Sequence, residues 1–357
     1  MSRTGLYVAV GLCLGLWAGG AWAAERDALG VRTEWVSFES GSASFKGVLW
    51  LPSGRPKAGV VLLDDAGKTL EVERYAALLA GRGFVVLAYE PKGAPSPGDT
   101  PEAPGAGVHA RAEQALAAAR VLRGRVGPLK DGPVGLMGLG RGAWVAVRAA
   151  ASSPEPGFLV LVSGGGGPVW KQDAHRRRND ARQRGLTGPE QADLAESLST
   201  LYDARLYEPK SEARARRTLD FQLKRAKRKR WYPMSPLRRF EHLEAPRLLE
   251  AQRQEWRDVL SYDSTEDLGR LRCPVLALVG EQDVVAPAKA TVQALSRAVA
   301  RSGTPSPGAV TVQVLSGREL LIPGPPGVEP EAEPVWAAME AWLGELERVS
   351  VSTDAGP

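Results

Sequence analysis

At 357 residues the chain is long enough for one large α/β domain with an insertion, or for two smaller domains. Its formal net charge is a modest +5, and of its two cysteines one, Cys13, lies in the opening apolar run. That leaves Cys273 without a partner, so an internal disulfide is excluded and stability has to come from a core.

The opening run reads as a secretory signal peptide over residues 1–23. Arg3 supplies a basic start, residues 5–20 are almost wholly apolar or Gly, and Ala21-Trp22-Ala23 is a small-x-small cleavage site before Ala24. The run is too short for a membrane span, and no later stretch is long and apolar enough for one. Cys13 follows Leu12 in a poor lipobox context, which leaves lipidation as the minor alternative. The expectation is Sec-type export, to the periplasm or beyond.

From Arg32 strands alternate with helices. Thr33 to Phe38 and Lys46 to Leu51 read as an antiparallel pair, Gly59 to Leu63 as a strand buried on both faces, and Leu70 to Arg82 as an amphipathic helix. Phe84 to Tyr89 is the next strand, and Val108 to Arg123 the next helix after a Pro/Gly-rich loop. Val134 to Met137 gives a short strand, a Gly-rich turn follows, and Ala143 to Ala151 forms an Ala-rich helix. Phe158 to Val162 is another buried strand.

The alternation then stops. Residues 168–262 are charged, rich in helix formers and free of any buried-strand run, which predicts a helical insertion. It resumes with a strand over Val275–Val279, a helix from Pro287 to Ala300, a strand over Val310–Val314 and a helix from Val335 to Leu346. Residues 349–357 read as a disordered tail. The core therefore comprises residues 24–167 and 263–348. Cys273, before an apolar strand, is read as a buried small residue rather than a reactive thiol.

Eight strands, mostly parallel, with a helical cap inserted after the sixth, resemble the α/β-hydrolase fold. Four stretches carry the resemblance: Gly47-Val-Leu-Trp-Leu-Pro52, Val60-Val-Leu-Leu63 with its turn, Gly138-Leu-Gly-Arg-Gly142, and Tyr262 to Leu268 leading into Pro274 to Pro287. It is closest to the exported dienelactone-hydrolase-like and acyl-peptidase-like branch. The resemblance implies a G-x-S-x-G nucleophile elbow at Gly138–Gly142, an acid at Asp283, and a His after the last strand.

Two of those positions are substituted. Gly140 stands where the nucleophile belongs and offers no oxygen. Leu320 aligns with the base, and no His follows His242 anywhere in the chain. His109, His175 and His242 are read as surface residues. At the oxyanion turn the resemblance implies His-Gly, whereas this chain has Asp64-Asp65-Ala66-Gly67, and a carboxylate there opposes oxyanion stabilisation. Asp283, without a His to orient, is read as a turn or capping residue.

The favoured expectation is an exported, catalytically degenerate protein that binds a small ligand, an acyl or peptide group, or a partner beneath the cap. Asp64, Asp65, Arg141 and Gly142 are the candidate binding residues, because Arg141 and Gly142 open a helix whose N-terminus receives anions. The alternative is an active serine-type hydrolase with a non-standard constellation, in which Ser163 substitutes as nucleophile. A carboxylate group of Asp64, Asp65 and Glu319 for acid–base or metal chemistry is weaker still, and no metal or cofactor is expected.

Gly138-x-Gly140-x-x-Ala143 also satisfies a dinucleotide fingerprint. The next strand ends at Ser163-Gly164 with no acid for a ribose, so no nucleotide is expected. Finally, residues 171–230 hold 17 Lys and Arg against 9 Asp and Glu. The run Lys224, Arg225, Lys227, Arg228, Lys229 and Arg230 is a candidate surface for an anionic polymer, with a solvated helix face as the simpler reading.

Overall fold

The computed structural model describes residues 30–64, 70–91, 107–130, 132–302, 310–318, 321 and 333–354. In chain order the first half comprises β1 (Arg32–Ser40), β2 (Ala43–Leu51), β3 (Ala58–Leu63), α1 (Leu70–Gly81), β4 (Phe84–Tyr89), α2 (Val108–Arg125), β5 (Val134–Leu139), α3 (Gly142–Ser152) and β6 (Leu159–Val162). Four longer helices follow: α4 (Val169–Gln183), α5 (Gly188–Leu201), α6 (Glu212–Ala226) and α7 (Ala245–Glu255). A short α8 (Thr265–Leu268) then leads to β7 (Val275–Gly280), α9 (Ala288–Ser302), β8 (Val310–Leu315) and α10 (Glu333–Asp354).

The strands form one sheet in the order β1-β2-β4-β3-β5-β6-β7-β8. β1 pairs antiparallel with β2 and β2 antiparallel with β4, while every later pairing is parallel. β3, β4, β5, β6 and β7 are buried along their whole length. That explains their continuous apolar runs, since helices cover both faces of a parallel sheet.

On one face, α2, α3 and α9 contribute Leu116, Leu122, Val145 and Leu295 to a cluster shared with Val61, Leu136 and Leu161. On the other, α1 and α10 bring Tyr75 against Trp336, with ring centroids 4.4 Å apart, and Trp342 against Phe158. Each such side chain, fully buried, stabilises by about 1.5–3 kcal/mol. Cys273 is buried in this core and burial pushes its thiol up to about 11, so it packs as a small apolar group.

The four cap helices lie between β6 and β7 and have an apolar cluster of their own, including Leu194, Leu198, Leu219, Trp231, Leu237 and Phe240. Trp144 of α3 and Val108 of α2 belong to the same cluster, so cap and sheet domain share buried surface. An antiparallel bridge between Pro168 and Asp263 closes the neck of the insertion. α5 begins with a capping box, in which Thr187 and Glu190 satisfy each other's backbone and side chain.

The end of the chain departs from expectation. α10 continues to Asp354, past residue 349, where the sequence pattern predicted a disordered tail. No Gly or Pro follows Gly344 until Gly356, so nothing in that stretch breaks the helix. The stretch read as a signal peptide, residues 1–23, lies outside the described residues. Among the described residues no helix is long and apolar enough to cross a membrane.

Candidate functional site

The turn between β5 and α3 is tight and built on three glycines. Gly140 sits at φ +54°, in the left-handed region that only Gly enters without strain. Its N–H donates to the Val162 carbonyl at 2.9 Å, which ties the turn to β6. The flanking glycines answer to packing. A Cβ on Gly138 would lie 2.4 Å from Cα of Ala143, and one on Gly142 would lie 2.1 Å from the carbonyl oxygen of Leu63. α3 therefore lies directly on the ends of β3 and β5, with Gly140 buried at the turn.

Beside it stands a second left-handed residue. Ser163, immediately after β6, has φ +53° and is the one non-Gly residue with positive φ among those described. Its side chain is fully buried, and its Oγ donates to Oδ2 of Asp283 at 2.6 Å. The Asp283 carboxylate also accepts from the backbone N–H groups of Val285 and Ala286, both at 2.8 Å, and of Gly280 at 3.3 Å. Burial pushes this carboxyl up, while the Ser163 hydroxyl and the three amides favour its charged form. Both oxygens are occupied, and the group pins the turn after β7.

His175 departs from the reading that made it a surface residue. It is half-buried on α4, and its Nε2 lies 2.9 Å from the backbone carbonyl of Asp283. The Asn179 amide, 2.8 Å from the same nitrogen, donates to the Val284 carbonyl and accepts from Arg182. Nε2 thus stands between a main-chain acceptor and an amide donor, and its role depends on the tautomer. The cap helix α4 docks on the β7–α9 turn, which is why a charged, surface-like sequence places a histidine there. His109 and His242 are exposed. Ser163, Asp283 and His175 are thus neighbours, but hydroxyl meets carboxylate and imidazole meets a main-chain carbonyl.

Leu320, Asp65 and Glu319 lie outside the described residues. Asp64 is half-buried, and its main-chain carbonyl accepts from the Arg111 guanidinium.

A charged layer that sequence reasoning missed lies within the cap. Asp173 of α4 is buried and accepts from Nε of Arg177 at 2.5 Å, from Arg176 at 3.2 Å and from the Tyr202 hydroxyl. Burial opposes the charge of Asp173. The Arg177, Arg176 and Arg141 guanidinium groups overcome this and hold its carboxyl well below the usual carboxylate range. Arg239 pairs with Glu255 of α7. Burial first, then repulsion from Arg141 and Arg177, pushes Arg239 down to about 9, so it stays charged at neutral pH. The Arg176-Arg177 pair at helical spacing from Asp173 was a legible signal. Arg239 and Glu255 meet only because the cap folds.

No known family's sequence profile matches the chain, and no curated protein is similar to it in sequence. Solved structures share its fold. A carboxyl esterase from Bacillus coagulans superposes with a TM-score of 0.51 at 14% identity, over 88% of this chain and 98% of that one. A proline iminopeptidase from Mycobacterium smegmatis gives 0.51 at 14% identity, over 89% and 100%. A metagenomic dienelactone hydrolase-like phosphotriesterase gives 0.47 at 16% identity, over 89% and 98%. The chain has the α/β-hydrolase fold.

The glycine turn Gly138–Gly142 joins β5 to α3, and Asp283 lies in the turn after β7. Arg141 precedes the first turn of α3. The six basic residues of the cap run are largely engaged: Lys224 pairs with Asp220, Arg225 and Lys229 with Asp193, and Arg230 with Glu190. Exposed pairs of this kind contribute little to stability, but they offset the positive field of the segment.

Proposed function

We propose that this α/β-hydrolase-fold protein is exported, does not hydrolyse esters or peptides, and binds a ligand beneath its cap. One observation carries the loss of hydrolysis. The nucleophile position is a left-handed glycine, and the acid that would orient a base has its oxygens occupied by Ser163 and three main-chain amides. Export rests on the signal peptide read from residues 1–23. Ligand binding is supported by the Gly140 position, which adds no side chain at the turn, and by the charged groups held within the cap.

The competing reading has Ser163 as nucleophile, and its strained φ of +53° is what favours it, since such strain gathers at functional sites. Against it, the hydroxyl is fully buried and donates into a carboxylate rather than to an imidazole. The test is treatment of the purified protein with a fluorophosphonate probe and p-nitrophenyl esters. No labelling and no turnover above background are expected. Labelling or turnover that disappears in Ser163→Ala would establish the competing reading instead.

A further inference from the structure

We propose that the outward face of α6 docks the cap on a membrane of anionic phospholipid, with Arg214, Arg217 and Arg228 meeting phosphate and Phe221 entering among the headgroups.

α6 buries one side only. Ala215, Leu219, Gln222, Leu223 and Ala226 are its buried residues. At about 100° of rotation per residue, the opposite side carries residues 214, 217, 221 and 224. These are Arg214, Arg217, Phe221 and Lys224, and all four are exposed. Arg228, also exposed, continues the spacing in the turn that ends the helix, where its N–H donates to the Arg225 carbonyl at 3.2 Å. Phe221 is 62% exposed, while Leu219 and Leu223 on either side of it belong to the apolar cap cluster. A single exposed aromatic is ordinary. This one stands in a stripe of cations that contains no acid.

Much of the stripe's charge is not spent inside the protein. Lys224 pairs with Asp220, but among the described residues Arg217 and Arg228 make no ion pair. Lys227, beside them, reaches the Glu241 carbonyl at 3.4 Å, which leaves its charge without a counter-ion. Arg214 lines a cleft of about 340 Å³ together with Ser199 and Thr218. Asp203 shares that cleft, but Arg205 already holds its carboxylate with a fork of two N–H groups. The cleft thus offers guanidinium and hydroxyl donors to a phosphodiester headgroup, and Thr218 lies one turn before Phe221.

The aromatic ring selects the partner. An anionic polysaccharide needs only the cations, and a ring held in water among them adds nothing. A bilayer interface uses both, because the ring enters the boundary of the acyl chains while the arginines stay with the phosphates. Attachment through one ring and a few charges is peripheral and reversible. It sets the cap, rather than the sheet, against the bilayer.

Vesicle co-sedimentation tests the proposal on the chain from Ala24 onward, since the apolar run before it would itself enter a bilayer and every described element begins later. We expect pelleting with phosphatidylcholine vesicles that contain about 30% phosphatidylglycerol, and none with phosphatidylcholine alone. Binding should weaken as salt rises from about 0.05 M to about 0.5 M. Phe221→Ser should lower the partition coefficient about tenfold and leave retention on heparin unchanged, whereas Phe221→Trp should keep the wild-type value. Arg214→Gln, Arg217→Gln and Arg228→Gln combined should lower it about tenfold or more. All four side chains are exposed, and circular dichroism checks that each variant keeps the fold. Absence of pelleting, or equal pelleting with both kinds of vesicle, would overturn the proposal. Unchanged binding in Phe221→Ser would overturn it in favour of a purely ionic surface for an anionic polymer. Unchanged binding in the arginine variant would place the membrane contact on another face.

Discussion

Placing a serine at residue 140 tests whether this site is one substitution from activity. Its backbone is already that of a nucleophile, but a side chain at φ +54° is strained, at a cost on the order of 1–3 kcal/mol. Attack also needs a base held by Asp283, and that carboxylate is occupied by the Ser163 hydroxyl at 2.6 Å and by main-chain amides. Gly140→Ser should therefore lower the melting temperature and create no turnover of p-nitrophenyl esters. A variant that gained esterase activity would show that a working base lies within reach of residue 140. The central Gly140 was legible because a G-x-G-x-G pattern between a strand and an Ala-rich helix is hard to mistake. The Ser163–Asp283 bond was not, since its partners stand 120 residues apart and meet only through the pairing of β6 with β7.

At the scale of elements, the strands declared themselves through apolar runs, because a parallel sheet covered on both faces permits few polar residues. Helix α4 did not declare its inward face. Its sequence, VWKQDAHRRRNDARQ, looks solvated, yet Gln172, Asp173 and Asn179 are buried and His175 half-buried. The cap docks this helix through polar contacts, a pattern that hydrophobic periodicity cannot reveal. Asp173 gives that docking a pH signature. Its carboxyl is held below its ordinary value of 3.8 in the folded state, so the unfolded chain takes up the proton first as pH falls. The stability it contributes is complete above that ordinary value and declines below it. Melting temperature measured from pH 6 down to pH 3 should fall in the wild type. Asp173→Asn should be less stable at pH 6 and flatter across the acid range. An unchanged acid slope in the variant would mean that other carboxylates govern acid unfolding.

Among the described residues no disulfide holds the cap to the sheet, because Cys273 is buried and free. The connection falls instead on side chains that serve both parts, and Trp144 is the largest of them. It rises from α3, two residues after Gly142, into the apolar cluster of the cap, and its Nε1 donates to the Gly167 carbonyl at 2.6 Å. That carbonyl also accepts from Ser264 Oγ at 3.3 Å, so the neck of the insertion and the helix behind the elbow are braced by the same group. A ligand site between cap and sheet requires the two parts to keep a fixed relation, and Trp144 is where that relation can be broken without touching the charged layer. Trp144→Phe removes the hydrogen bond but leaves Ser264 on the carbonyl and most of the buried surface, so a loss of about 1 kcal/mol is expected. Trp144→Ala leaves a cavity and should cost about 3–5 kcal/mol. Calorimetry should show one unfolding transition in the wild type and in Trp144→Phe. In Trp144→Ala the cap, with its own cluster around Trp231 and Phe240, should melt in a separate, earlier step. A single transition in that variant would show instead that the Pro168–Asp263 bridge and the α4 contacts suffice to make cap and sheet one cooperative unit.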